Sequence, residues 1–407
     1  MLDKGNTGMS VRIEGARVLL GEDVVDTSVT VADGQIAEIG GGPADRGMDG
    51  RGLFLAPALV DIHGDAFERQ VMPRPKVFFP LDAAILDTDR QLAGNGIATA
   101  YHALTLSWEP GLRAVGRGEA FLDALTALQG RLTVENRLQL RWETFAFEAV
   151  DLIKRALEGP LLPSIAFNDH TSMTMRDYDV PVQTRLFEHN PDYAVLDPQD
   201  PRFVHKTNNN QRAGVSPEEY GALLLDIWKR RPNVPGVMAD IAAAGRAKGA
   251  SMLSHDDTQL ETRDYYRGLG VGISEFPMQR HVAEAARAGG DHIIFGAPNV
   301  VRGGSHIGSP SAADMVEAGL CDALASDYFY PAMLAAVARL HAEKRAPLSK
   351  IWSLVSRGPA VASGLTDRGD IAVGKRADLV LVDWPGGGPP AIRMTMSAGR
   401  VAYGAGI

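Results

Sequence analysis

Short β-branched runs crowd both ends of the chain. Residues 11–13, 16–20, 24–31 and 35–39 are apolar stretches broken by Gly, Asp and Glu, and Asp33-Gly34 is a two-residue hairpin signal. The other end is patterned alike, since the Gly369-to-Asp378 stretch leads into 379–382, then 393–396 and 399–403. Each end is too small to fold alone. The pattern therefore predicts that they pair into one small β-sandwich, residues 1–56 with 364–407. Between the ends the rhythm changes. Apolar strands at 58–63, 97–103, 138–144, 164–170, 251–256, 270–276, 293–299 and 323–328 alternate with amphipathic helical stretches. Examples of the latter are 118–128, 237–247 and 217–229, the last with Leu223, Leu224, Leu225 and Trp228 facing inward. Strand–helix alternation of this kind predicts an α/β fold, a parallel (β/α)8 barrel over residues 57–363. An open doubly wound sheet is the competing arrangement. The barrel is preferred because chemically capable residues end nearly every strand. A barrel gathers those ends on one face, whereas an open sheet spreads them along an edge.

Composition narrows the function classes. The 407 residues are 45% hydrophobic and 22% charged, which is ordinary for a globular protein and argues against global disorder. The net charge of −9 argues against a general nucleic-acid binder, which needs a basic stripe. It leaves room for a small polyanion in a local basic pocket. The single cysteine, Cys321, cannot form an intramolecular disulfide or build a cysteine-ligated metal site, and it suits a reducing, cytoplasmic setting. No apolar run approaches the roughly 20 residues of a membrane span, and residues 1–10 lack the apolar core of a secretory signal. Residues 1–8 read as a loosely ordered tail.

The strand ends carry the chemistry. Strand one ends in Asp61-Ile62-His63-Gly64-Asp65, where His63 and Asp65 alternate onto one side. Alone, such a pair is more simply a hydrogen-bonded turn. The other strands change the weighting: Glu143 ends the third, Asn168-Asp169-His170 the fourth, Ser254-His255-Asp256-Asp257 the fifth, Ser274-Glu275 the sixth and Ser326-Asp327 the eighth. Any one could be a helix cap. Together they put carboxylates and imidazoles on one rim, where like charges need a cation. A divalent metal, in two ions, is the economical answer, held by nitrogen and oxygen. Zinc comes first, with manganese and iron as alternatives. His102 reads equally as a site residue or a loop-bonded one. His189, His205, His281, His292 and His341 read as structural or surface, Met173 and Met175 as packing, and Cys321 as buried and inert.

These motifs resemble the amidohydrolase superfamily. Leu55-Ala56-Pro57-Ala58-Leu59-Val60-Asp61-Ile62-His63 enters strand one, and Gly374-Lys375-Arg376-Ala377-Asp378-Leu379-Val380 lies near the end. Within it, the chain is similar to the PhnM family of the carbon–phosphorus lyase pathway, which has His-x-Asp at the first strand. That match rests on Pro73-Arg74-Pro75-Lys76-Val77, Leu253-Ser254-His255-Asp256-Asp257, Glu275-Phe276-Pro277, the long segment from Gly296 to His306, and Ser326-Asp327-Tyr328. The resemblance implies a metal-dependent diphosphatase that splits α-D-ribose 1-methylphosphonate 5-triphosphate to the 5-phosphate and pyrophosphate. It implies His63, Asp65, Glu143 and His255 as metal ligands. Asp327 would orient and deprotonate the attacking water, and His170 and Glu275 would ligate metal or touch substrate. Phosphoryl transfer needs charge neutralisation above all. A loop after strand seven supplies Arg302, which forks onto phosphate oxygens, Gly303 and Gly304, whose N–H groups can approach an anion, and Ser305 and His306. Arg74 and Lys76 add positive charge on the same face. The partner would be a small phosphorylated sugar, and a homo-oligomer is the ordinary prior.

Three stretches differ from the family pattern: Ala66 after strand one, Thr144-Phe145-Ala146-Phe147 after strand three, and Thr171 to Arg176 after strand four. The connection 178–211 is long and reads as a lid or specificity element. A related phosphate-ester hydrolase, an amidohydrolase acting on a C–N bond, and a metal-stabilised scaffold in a larger assembly are the other readings. Arg302 and its glycines separate the diphosphatase from the C–N hydrolase, since an uncharged amide gives them no task.

Overall fold

The computed structural model describes residues 9–207, 213–305, 307–385 and 388–406. The tail 1–8, His306, and the side chain of His205 lie outside the described residues.

The two chain ends form one sheet. Val11–Leu20 pairs with Asp23–Ala32 and Phe54–Pro57, and Phe54–Pro57 pairs antiparallel with Leu379–Asp383, which leads through Ala391–Ser397 to Arg400–Gly404. The two apolar runs expected at 11–13 and 16–20 are a single strand. Gly15, at φ 73°, sits at a bulge where the register shifts between Ile13 and Ala16. Asp33 and Gly34, both at positive φ, turn the next hairpin with Ala32 opposite Gln35. Ile13, Val18, Val29, Leu55, Leu379, Leu381 and Met394 form the core of this unit.

The middle of the chain is a barrel of eight parallel strands in sequential order: Leu59–Gly64, Ile97–Leu106, Glu135–Glu143, Ser164–Asn168, Met252–His255, Ile273–Glu275, His292–Gly296 and Ala323–Ala325. Closure between the eighth and first strands differs along their length. At one end, residues 354–355 lie between them, with Val60 donating to Val355 and Leu324 to Leu354 at 2.9 and 2.7 Å. At the functional end the strands meet through a bridge between Gly64 and Asp327. Below it, Asp61 accepts from the Ser326 hydroxyl at 2.5 Å and the Ser326 amide at 2.9 Å. A Cβ at Gly64 would lie 2.7 Å from Asp61 Oδ2 and 2.9 Å from Ser326 Oγ.

Three expected details change. The stretch 164–170 is strand only to Asn168, because Asp169 caps a short helix, His170–Met175, by accepting from Ser172 N at 2.7 Å. The loop expected at Asn299 to His306 begins as a helix, Ala297–Arg302, with proline in its first turn where a missing N–H costs nothing. In Pro217–Trp228, opened by a Ser216–Glu219 capping box, Leu224 is buried but Leu223 is 41% exposed. A 100° step per residue cannot turn three consecutive leucines inward.

The described part of the long connection, residues 178–207, is anchored at Arg185. Arg185 is buried, pairs with Glu188 at 2.9 Å, and donates to the Asp256 carbonyl at 3.2 Å. Thr258 and Gln259 donate back to the Arg185 carbonyl.

Candidate metal centre and flanking cavities

Strand three addresses the site with alternate side chains. Gln139, Arg141 and Glu143 share one face by the two-residue period of a strand. The Gln139 amide donates to Glu275 Oε1 at 2.9 Å. Arg141 lies 3.3 Å from His255 Nε2 and 3.5 Å from Asp65 Oδ2. Glu143 Oε1 lies 2.5 Å from His170 Nδ1, and its other oxygen accepts from the His170 amide at 3.1 Å.

Glu275 organises two histidines at once. Its Oε1 lies 2.9 Å from His63 Nδ1 and its Oε2 lies 2.8 Å from His255 Nδ1. The two rings are nearly parallel, 12° apart in plane, with centroids 5.9 Å apart. Burial pushes the Glu275 carboxyl up, but the adjoining His63 and His255 outweigh it and hold it well below the usual carboxylate range. Burial likewise favours neutral His63, and the charge of Glu275 overcomes that and raises its pKa. With Nδ1 engaged, His63 Nε2 is buried and has no hydrogen-bond partner. In the neutral ring that donates from Nδ1, a lone pair left this way is unfavourable unless a cation takes it. A carboxylate behind a ligating imidazole is the usual support for such a ligand. Expected to ligate metal or touch substrate, Glu275 instead spends both oxygens on imidazoles.

Asp256 was not among the expected ligands, yet His170, His255 and Asp256 each offer a ligand atom within 4.8 Å of the others. Of the expected four, His255 belongs to this group. Glu143 adjoins it through His170, His63 through Glu275, and Asp65 through Arg141. Arg141 was also not expected. Its signal was the alternation that already placed Glu143. Asp256, Phe276 and Asp327 all take φ of 56° just beyond strands five, six and eight. Such conformations cost on the order of 1 kcal/mol each in a residue with a side chain and cluster at functional sites.

Asp327 is tied to strand one by its backbone. Its amide donates to the His63 carbonyl and its carbonyl accepts from the Asp65 amide, both at 2.9 Å. Burial pushes its carboxyl up, against the opposing pull of His63. The side chain lines a cavity of about 90 Å³ shared with Arg302, Gly304, Ser305 and Tyr328. The glycines there do not act as expected. Gly303 donates to the Val300 carbonyl at 3.1 Å and Gly304 to Asn299 at 2.9 Å, finishing the helix end with Gly303 at φ 83°. Their amides are thus spent on the cap, and among the described residues the cationic element of the cavity is Arg302. Arg74 and Lys76 are exposed on the loop after strand one and do not line it. A second cavity, of about 190 Å³, opens on the Glu143 and His170 side.

His102 has a structural place. It is buried, its Nε2 lies 2.7 Å from Asn136 Oδ1, and burial lowers its pKa to about 4. Cys321 is buried, its thiol pushed up to about 12 by burial.

Residues 192–403 match the model of the amidohydrolase family. Across 377 residues, 91% of this chain and 94% of the relative, the chain is 31% identical to α-D-ribose 1-methylphosphonate 5-triphosphate diphosphatase of Escherichia coli (strain K12). The chain belongs to the amidohydrolase family. It is a PhnM-like amidohydrolase and an enzyme that hydrolyses its substrate. Solved structures of similar fold include molinate hydrolase, with a TM-score of 0.61 at 14% identity, covering 97% of this amidohydrolase and 95% of that chain. Another is the β-aspartyl dipeptidase of Fervidobacterium islandicum AW-1 in complex with a β-Asp-Leu dipeptide, with a TM-score of 0.59 at 16% identity and 98% of each chain covered. At these identities the likeness is one of fold, which many chemistries share. Among the described residues, no helix of this amidohydrolase is long and apolar enough to cross a membrane.

Proposed function

We propose that this amidohydrolase is a metal-dependent diphosphatase. In this reading water adds across the bond between the first and second phosphoryl groups of α-D-ribose 1-methylphosphonate 5-triphosphate, giving the 5-phosphate and pyrophosphate. The observation that carries it is the cavity shared by Asp327 and Arg302, a half-buried carboxylate and a guanidinium bordering one space. The likeness to the Escherichia coli diphosphatase over most of both chains supports the same substrate class.

The donor set suits a divalent cation, zinc first and manganese or iron next, in two ions. His63, Asp65, Glu143 and His255 would hold it, joined by His170 and Asp256. The orphaned His63 Nε2 and the convergence of His170, His255 and Asp256 are what fit such an ion. When bound, the metal supplies a lowered pKa for water and neutralises phosphate charge. Asp327 holds the attacking water and accepts its proton at a carboxylate oxygen, a task suited by the raised affinity that burial gives it. Arg302 forks onto the departing phosphate oxygens, with Ser305 beside it. Arg74 and Lys76, on their exposed loop, draw the polyanion to the mouth. A small phosphorylated sugar is therefore the partner, and a cytoplasmic place of action follows from this role.

The test is pyrophosphate release from ribose 5-triphosphate derivatives, before and after chelation and with metal restored. Turnover should vanish on chelation and return with metal. Unchanged turnover in metal-free protein, or cleavage of N-acyl compounds with none of triphosphates, overturns the reading.

A further inference from the structure

We infer that the cavity beside Glu143 and His170 is a subsite for an uncharged, hydroxyl-bearing ring, the pentose of the substrate class proposed above, on which this inference rests. Its volume of about 190 Å³ is the room of about six waters. Thr105, Ser107 and Thr174 are among the residues that line it. Thr105 points most directly to a ligand. It is 4% exposed, and its Oγ1 is buried with no hydrogen-bond partner. A buried hydroxyl left unpaired is unfavourable, and a sugar hydroxyl beside it would relieve that.

The aromatic wall is set in advance. The Trp108 indole N–H donates to Thr171 Oγ1 at 2.9 Å, and its ring stacks on Tyr220 with centroids 5.7 Å apart. The Tyr220 hydroxyl donates in turn to Glu109 Oε1 at 2.5 Å. The charged side chains around it are already engaged. Glu109 and Glu143 border the space, while the Arg113 guanidinium is already bound to both oxygens of Glu68, at 2.9 and 3.0 Å. With Glu143 given to the candidate metal and Arg113 to Glu68, what the space offers a ligand is hydroxyl-bearing side chains and an aromatic wall, partners for a neutral polyol. The other cavity, bordered by Asp256 and Asp327, carries Arg302. The candidate metal ligands thus separate a site for a ring from a site for a charged chain.

Zinc-loaded protein is titrated calorimetrically with D-ribose 5-phosphate and with inorganic phosphate. Ribose 5-phosphate should bind at least tenfold more tightly. Thr105→Val, which removes only the hydroxyl, and Trp108→Leu should each shrink that preference fivefold or more. Should Thr105→Val fail to fold, Trp108→Leu decides alone. Equal binding of the two ligands, or a preference that the folded variants retain, overturns the subsite. A ribose preference without pyrophosphate release from any sugar triphosphate refutes the diphosphatase reading and leaves the subsite standing.

Discussion

The amide of Asp327 donates to the carbonyl of His63 at 2.9 Å, so the last barrel strand and the first are joined at the candidate catalytic base and a candidate ligand. The position of one sets the position of the other. Gly64 lies between them, and a Cβ there would meet Asp61 Oδ2 at 2.7 Å, Ser326 Oγ at 2.9 Å and Tyr330 Cε1 at 3.1 Å. Gly64→Ala should therefore lower stability by about 1–3 kcal/mol through overpacking, read from the urea midpoint, and should reduce turnover as well. Gly116→Ala, on a helix with open space around it, should be neutral or slightly stabilising.

Glu275 fixes which nitrogen each of two imidazoles presents. Glu275→Gln keeps the volume but can no longer accept from both rings. Metal affinity should fall about 10- to 100-fold, measured by competition with a chromophoric chelator. Unaltered affinity would sink the supporting role.

Asp327 and Arg302 share a cavity, and the proposed function gives them separate tasks. Asp327→Asn should lower kcat by about 10²–10⁴ with little change in KM, the mark of a lost general base. Arg302→Ala should cost about 1.5–3 kcal/mol of binding, the worth of a charged hydrogen-bonding group. That loss is read as a raised KM for the triphosphate. Equal kcat losses in both variants would argue against the division.

His102 makes stability depend on pH. Burial lowers its pKa from 6.5 to about 4, so between these values the unfolded chain binds the proton and the fold does not. The neutral form's contribution is full above 6.5 and is lost as pH falls towards 4, by about 3 kcal/mol in all. Urea midpoints of wild type and His102→Gln across this window should show a flatter profile in the variant.

The parts of the fold that local chemistry dictates were legible in the sequence. Asp33-Gly34 turns a hairpin because both positions accept positive φ, and the strand–helix rhythm made a barrel. What escaped depends on partners distant in sequence. Pro298 falls in the strand expected at 293–299, yet it stands in the first turn of the helix Ala297–Arg302. Nothing local shows that the Gly303 and Gly304 amides turn back onto Asn299 and Val300. Glu275 looks like any strand-end carboxylate until His63 and His255 close on its two oxygens from other strands. Arg141 and Asp256 each sit within two residues of an expected site residue. Their proximity to the site itself is a property of the closed barrel.

The placement of residues 354–355 between the first and eighth barrel strands sets an order on biosynthesis. Strand one leaves the ribosome well before its neighbours on that side and before the partner of Phe54–Pro57 at Leu379–Asp383. Until then the nascent chain holds unsatisfied strand edges, the kind of surface that chaperones guard. Closing contacts of such high sequence separation make folding slow. A chain cut short before residue 379 loses the strand that joins its two ends.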